Sequence, residues 1–126
     1  MKSKFISVEI ALHSDHESRE WIEWFQKQDN HVDKVTGTDA KWFIYFAPLP
    51  SGDVDATISS LCDEIDNLPE NIRAHWDNAI RRQFFIGYQA GLEWPSLDNR
   101  LSHDTLMKVV GLNAELRLAI YPASTE

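Results

Sequence analysis

The densest group of side chains that could perform chemistry lies near the N-terminus. His13, Asp15, His16 and Glu17 follow one another closely, and imidazoles and carboxylates bind transition metals when several converge on one ion. The acids have a simpler explanation, because the helix dipole favours Asp and Glu in the first turn of a helix. His13 falls at the end of a predicted strand, where exposure is expected. The cluster therefore predicts a helix start, and we predict no metal site.

Nucleophilic catalysis has less support. The sequence contains no G-x-S-x-G elbow, and its five glycines are scattered, so no glycine-rich phosphate loop is present. Cys62, the only cysteine, lies on the apolar stripe of a predicted helix, where an unreactive core thiol is the usual role. We therefore predict no catalytic residue and no cofactor, and an enzyme of unknown reaction ranks third among the alternatives.

Length and charge limit the classes of partner. The 126 residues fit one domain spanning 1–126, and twenty acids against twelve bases give a net charge of −8. Because nucleic-acid binding depends on a basic surface, we predict no nucleic-acid partner. The acidic balance suits a basic protein partner, and it equally suits simple solubility. No apolar run approaches the ~18 residues of a membrane span, and polar residues interrupt the N-terminal segment, so we predict a cytoplasmic protein without membrane contact.

Periodicity and capping signals predict the elements that position these residues. Alternating apolar residues predict strands at 4–12, 41–48, 82–92 and 114–121, and helical spacing predicts helices at 15–28, 54–67, 70–79 and 103–110. Ser14 with Glu17, Asp53, and Ser102 are the predicted helix caps, and Gly111 suits a left-handed helix end. Residues 29–40 are polar and are predicted to form a long loop.

This order of elements predicts an α+β fold. Both terminal strands carry polar residues on one face, which argues against helices on both sides of a parallel sheet. We therefore predict a two-layer sandwich with a four-stranded sheet and helices mainly on one face. A ferredoxin-like arrangement is the closest named architecture, and it would make the first and last strands neighbours.

The C-terminal third carries a resemblance to a known family. Leu101-Ser102 opens a helix after a strand and a short loop, and the closing strand ends in the pair Ile120-Tyr121. This pattern resembles the domain-of-unknown-function 4279 family of small bacterial proteins. The matching residues are structural, so the resemblance implies no catalytic residue and no activity.

Two surfaces are predicted to bind a partner. Asp63, Asp66 and Glu70 recur at helical spacing, and we call these three residues the acidic stripe. It is either a docking surface for a basic protein or an ordinary solvated helix face. The second surface is the sheet face opposite the helices, with Glu9, Tyr45, Arg117 and Tyr121, where Glu9 and Arg117 would form a cross-strand pair.

Three alternatives compete for that open sheet face: a homodimer interface, cover by the 29–40 loop, or a second small core. Trp94, in the loop 93–101, is the tryptophan expected to be accessible. Our preferred function is non-catalytic binding to a protein, in the manner of an inhibitor or immunity protein. The alternative is a small-ligand pocket between the open sheet face and loops 29–40 or 93–101.

Overall fold

The computed structural model describes residues 4–14, 19–27, 32–36, 41–46, 53–92 and 98–123, of which 4–7, 32–36 and 41–46 are described as backbone only. The elements along the chain are β1 Lys4–Ser14, α1 Arg19–Lys27, β2 Val32–Thr36, β3 Lys41–Phe46, α2 Val54–Asp66, α3 Glu70–Asp77, β4 Arg81–Gln89, α4 His103–Gly111 and β5 Glu115–Tyr121. The architecture is α+β. No helix in the described part of the chain is long and apolar enough to cross a membrane.

The described strands form a five-stranded sheet in the order β2-β3-β1-β4-β5. β1 pairs antiparallel with both β3 and β4, and β2 pairs antiparallel with β3. β5 lies parallel to β4 at one outer edge. The predicted four-stranded, ferredoxin-like sheet is therefore wrong, because a fifth strand takes part and the sheet is mixed.

β2 is the strand that the sequence did not predict. It lies inside the segment 29–40, which was expected to be a loop, and it pairs with β3 from Val32 opposite Tyr45 to Thr36 opposite Lys41. Its sequence VDKVT has too few apolar residues to show period-2 alternation. An edge strand bonds on one side only, and its β-branched residues favour extended backbone, so the pairing needed no strong hydrophobic pattern.

The described helices pack on one face of the sheet. Ile10 and Leu12 of β1 and Phe84 of β4 share that face and belong to one buried cluster with residues from all four helices. Aromatic rings lie at its centre, where Trp76 is 6.0 Å from both Trp21 and Phe84 between ring centroids. Burial of such large side chains is the main favourable term holding the two layers together.

The structure confirms two of the predicted caps and corrects one helix end. The Asp53 side chain accepts from the Asp55 amide, and the Ser102 hydroxyl accepts from the Thr105 amide. Gly111 remains helical, and Asn113 takes the left-handed backbone with φ 55° instead. Asn tolerates this conformation better than most residues do. Ser14 is the last residue of β1, and residues 15–18, which complete the predicted capping box, lie outside the described ranges.

Candidate binding surface at the outer edge of the sheet

β5 is the outer strand on the β4 side of the sheet. The Ala90 amide donates to the Tyr121 carbonyl oxygen over 2.9 Å, which fixes the direction of the main-chain groups along β5. Since a residue in a strand directs its N–H and C=O to the same side, the odd-numbered residues of β5 bond to β4. The main-chain groups of Leu116, Leu118 and Ile120 therefore point away from the sheet.

Large apolar side chains are exposed on β5 and on α4, the helix that precedes it in the chain. On β5, Leu118 is 58% exposed and Ile120 is 71% exposed. On α4, Leu106, Met107 and Val110 are 41%, 59% and 69% exposed. We call these five residues the apolar edge. Leu118 and Ile120 lie opposite Ile86 and Tyr88 in the ladder with β4, which places them on the helix-covered face of the sheet.

The orientation of α4 keeps its exposed apolar residues away from α2. The opposite flank of the helix faces α2, because Lys108 Nζ donates to Ser59 Oγ over 2.9 Å. Leu106 and Val110 lie roughly 160–200° around the helix from Lys108, given ~100° per residue. Leu106 and Val110 therefore face away from α2. Met107 lies two residues, or roughly 160–200° at ~100° per residue, from the buried Thr105 and Val109, so it faces away from the sheet.

Arg82 holds the corner at which α4 meets β5. Its Nε donates to the Asn113 carbonyl over 3.0 Å, and its Nη1 donates to the Ala79 carbonyl over 2.9 Å and to the Trp76 carbonyl over 3.1 Å. The Trp76 indole N–H in turn donates to the Leu112 carbonyl over 3.0 Å. Charge-assisted hydrogen bonds of this kind are about twice as strong as neutral ones. Those of Arg82 therefore fix the segment that joins α4 to β5.

The acidic stripe is partly engaged by the chain's own cations. Asp63 Oδ1 lies 2.9 Å from Lys108 Nζ, and the hydrogen bond to Asp63 raises the pKa of Lys108. Asp66 Oδ1 lies 3.3 Å from Arg73 Nη1. Glu70 has no ion-pair partner within the described ranges. Docking of a basic protein on the acidic stripe stays a prediction. Among the described residues, Glu70 is the carboxylate of the stripe that would be available to such a partner without breaking an ion pair.

The predicted ion pair between Glu9 and Arg117 is wrong. β4 separates β1 from β5, and Phe85 lies opposite Glu9 on one side and opposite Arg117 on the other. The Arg117 guanidinium carbon lies 4.7 Å from the centroid of the Phe85 ring. Arg117 therefore makes a cation–π contact in place of a cross-strand salt bridge.

The other predicted binding residues are not brought together. Tyr121 is 45% exposed near the end of β5. The backbone of Tyr45 pairs with Ile10 on one side and with Val32 on the other, and Tyr45 belongs to the residues described as backbone only. Trp94 and residues 28–31, 37–40 and 93–97 lie outside the described ranges, so the pocket predicted beside loops 29–40 and 93–101 stays a prediction.

Two cavities lined by described residues lie in the helix layer, with volumes of about 250 Å³ and 220 Å³. Both are smaller than the ~300–1,000 Å³ of ordinary small-molecule sites. Cys62 lines the first, and burial raises the pKa of its thiol to about 11. The thiol is therefore protonated at neutral pH and is a weak nucleophile. Within the described ranges, no group of three or more His, Cys, Asp or Glu side chains could hold a metal ion.

Sequence analysis missed the apolar edge as a surface. The run Leu106-Met107 and Val109-Val110 is more apolar than one face of a short helix can bury, and this excess was the available signal. Leu118 and Ile120 alternate like core residues of a strand, and only the strand order places them at an edge.

Comparisons of this chain with protein-family models, with curated proteins and with solved structures find no match. The resemblance of the C-terminal third to the domain-of-unknown-function 4279 family therefore stays a prediction.

Proposed function

We propose that this protein acts by binding another polypeptide, without catalysis, and that the apolar edge is its binding surface. The observation that carries the proposal is the exposure of five large apolar side chains beside a strand that ends the described sheet, so that its outward main-chain groups bond to no described strand. Soluble monomers rarely expose apolar patches larger than a few hundred Å², and larger patches mark interaction sites.

A strand edge offers two kinds of contact to a polypeptide. An extended segment can add to β5 through main-chain hydrogen bonds, while alternate side chains provide selectivity. Leu118 and Ile120 project on the helix-covered face of the sheet, the face on which α4 packs through Val109. An added strand would therefore place alternate side chains against an apolar floor.

The inhibitor- or immunity-like role is the finer form of this proposal. In it, the net charge of −8 accelerates encounter with a basic protein, and the apolar edge holds the complex once formed. Electrostatic attraction of this kind mainly changes the association rate, whereas buried apolar contacts mainly change the dissociation rate.

Selection of peptides from a random library tests the proposal for any polypeptide partner. Peptides displayed on phage are selected on the full chain immobilised at low density, and their affinities are compared with those for Leu118→Lys. Ile80→Lys is the matched control, because Ile80 is 52% exposed and its amide bonds to His13 of β1, away from β5. We expect peptides with alternating apolar residues that bind Leu118→Lys at least about tenfold more weakly than the other two proteins. Equal binding to all three proteins, or no enrichment, would contradict the proposal.

A further inference from the structure

We propose that the apolar edge pairs with a second copy of this chain, through antiparallel pairing of β5 with β5 about a two-fold axis at Leu118. This inference rests on the proposed function and names its partner. It differs from the predicted homodimer through the open sheet face, because the contact lies along the strand edge.

The outward main-chain groups of β5 are self-complementary. They belong to Leu116, Leu118 and Ile120, which are evenly spaced about Leu118. In an antiparallel pair centred there, Leu118 forms a hydrogen-bonded pair with its own copy, and Leu116 pairs with Ile120 of the second copy. A two-fold interface of this kind uses the same patch on both copies and closes without further growth.

Other registers are less favourable. A pair centred on Arg117 would place two guanidinium groups directly opposite each other, which is destabilising. It would also call on the amide of Ala114, which already donates to the Val109 carbonyl over 3.1 Å. A pair centred on Ala119 would bring Pro122 into the ladder, and proline has no N–H to donate. Leu118 is therefore the favoured centre.

The charges on β5 do not protect its edge. Proteins often discourage edge pairing with outward charges, prolines or bulges. Here Glu115 accepts from Gln83 Nε2 over 3.2 Å, and Arg81 Nε lies 3.7 Å from the same carboxylate. Arg117 stacks over Phe85. Both charged side chains of β5 are thus drawn back over β4, which leaves the outer side of the strand open.

The exposed area corresponds to a small interface. Aromatic side chains bury ~150–250 Å² each, and the smaller side chains of the apolar edge, which are 41–71% exposed, leave roughly 100 Å² or less each. Complete cover of all five would bury at most roughly 1,000 Å² over two copies, at the lower limit for a specific interface. Because such small interfaces are weak, we expect a dissociation constant in the micromolar range or above.

Sedimentation equilibrium of the full chain at about 1–500 μM tests the pairing, with Leu118→Lys and Val110→Lys as edge variants and Ile80→Lys as the control. Lysine lowers the net negative charge of each copy, so a loss of association cannot come from a larger net charge. In Leu118→Lys the two-fold axis also places two lysines opposite each other, and this local repulsion adds to the loss of apolar contact. We expect reversible dimers for the natural chain and for Ile80→Lys, and at least about tenfold weaker association for both edge variants. Unchanged melting temperatures would show that the variants remain folded.

Residue-resolved amide exchange gives an independent readout of the register. The amides of Leu116, Leu118 and Ile120 should exchange more slowly as protein concentration rises, whereas those of Arg117 and Ala119, bonded to β4 in either state, should not change. Dimers that persist in both edge variants would overturn the inference in favour of another interface. A chain that stays monomeric while selected peptides still bind its edge would overturn self-pairing and leave the proposed function standing.

Discussion

The acidic stripe and the apolar edge are two surfaces of unusual composition among the described residues, and they differ in how many of their side chains have partners within the chain. Lys108 and Arg73 engage two of the three carboxylates of the acidic stripe. The described residues provide no comparable cover for the apolar edge, where the five side chains are 41–71% exposed. A charged surface is also well solvated by water, whereas an apolar one is stabilised by contact with another apolar surface.

The comparison shows that charge alone is a weak guide to a binding surface. Six acids and no base lie between Asp53 and Glu70, yet several of these carboxylates have structural roles. Asp53 caps α2, and Asp55 accepts from the Ser102 amide over 2.7 Å, a bond that lowers the pKa of Asp55. The cations that engage Asp63 and Asp66 come from later in the chain, so the sequence pattern did not reveal these pairs.

The largest expected effect concerns the hydrogen bonds of Arg82 at the corner between α4 and β5. Arg82→Met removes hydrogen bonds to four main-chain carbonyls, so it should lower the free energy of unfolding by about 2–4 kcal/mol. Urea unfolding followed by circular dichroism measures this loss. Arg81→Met is the matched control, since Arg81 is exposed and its ion pair with Glu115 spans 3.7 Å, and it should cost less than about 1 kcal/mol. Equal costs for the two variants would mean that the corner between α4 and β5 is not anchored as described.

The second prediction concerns Cys62, which lines a cavity together with Lys108. Burial raises its thiol pKa to about 11 from the ordinary value of 9.0. Alkylation by iodoacetamide at pH 8 should therefore be on the order of 100-fold slower in the folded protein than in urea. An alkylation rate in the folded protein within a few-fold of the rate in urea would show an accessible thiolate. It would then support a nucleophilic role for Cys62.

The same shift predicts how stability depends on pH. Because the folded pKa is raised, the contribution of Cys62 is fully present below pH 9 and is lost as pH rises through about 11. The loss should be on the order of 2 kcal/mol. Cys62→Ala should flatten the pH dependence between pH 9 and 11 relative to the natural chain. Parallel pH profiles for the two proteins would contradict the shift.

A smaller effect tests whether the acidic stripe is engaged within the chain. A double-mutant cycle with Asp66→Asn and Arg73→Met should show a coupling energy of about 0.2–1 kcal/mol from the ion pair. The cycle cancels the separate interaction of each carboxylate with its helix dipole, since Asp66 ends α2 and Glu70 lies in the first turn of α3. A cycle with Glu70→Gln and Lys108→Met is the matched control, and it should show less than about 0.2 kcal/mol of coupling by urea unfolding. If the two cycles give equal couplings, the stripe is a free surface and the contrast between the two regions fails.

The smallest expected effect concerns the open sheet face. A double-mutant cycle with Phe85→Leu and Arg117→Met should show a coupling energy of about 0.5–1 kcal/mol from the cation–π contact. A cycle with Glu9→Gln and Arg117→Met should show a smaller coupling, less than about 0.3 kcal/mol, because β4 lies between the two residues. Urea unfolding of the single and double variants measures both. The opposite ranking would mean that Glu9 reaches Arg117 despite the strand order.

Sequence patterns predicted the parts of this protein whose signals are local. Ser102 and Asp53 cap their helices as expected, because a cap is recognised from a few adjacent residues. The exposure of Leu118 could not be predicted in this way, since it depends on β5 lying outside β4 in the sheet. The role of Arg82 in joining α4 to β5 could not be predicted from the sequence either, because its Asn113 acceptor is 31 residues away. The candidate site is thus set by long-range topology, which periodicity does not encode.

The salt dependence of self-association tests most directly whether the apolar edge, and not charge, brings copies of this chain together. Sedimentation equilibrium is measured in about 0.01 M and about 0.15 M NaCl, where the Debye length falls from ~30 Å to ~8 Å. Each copy carries a net charge of −8, so screening should reduce repulsion and lower the dissociation constant by at least about twofold. Association that weakens as salt is added is the behaviour of contacts between opposite charges, and it would contradict this account.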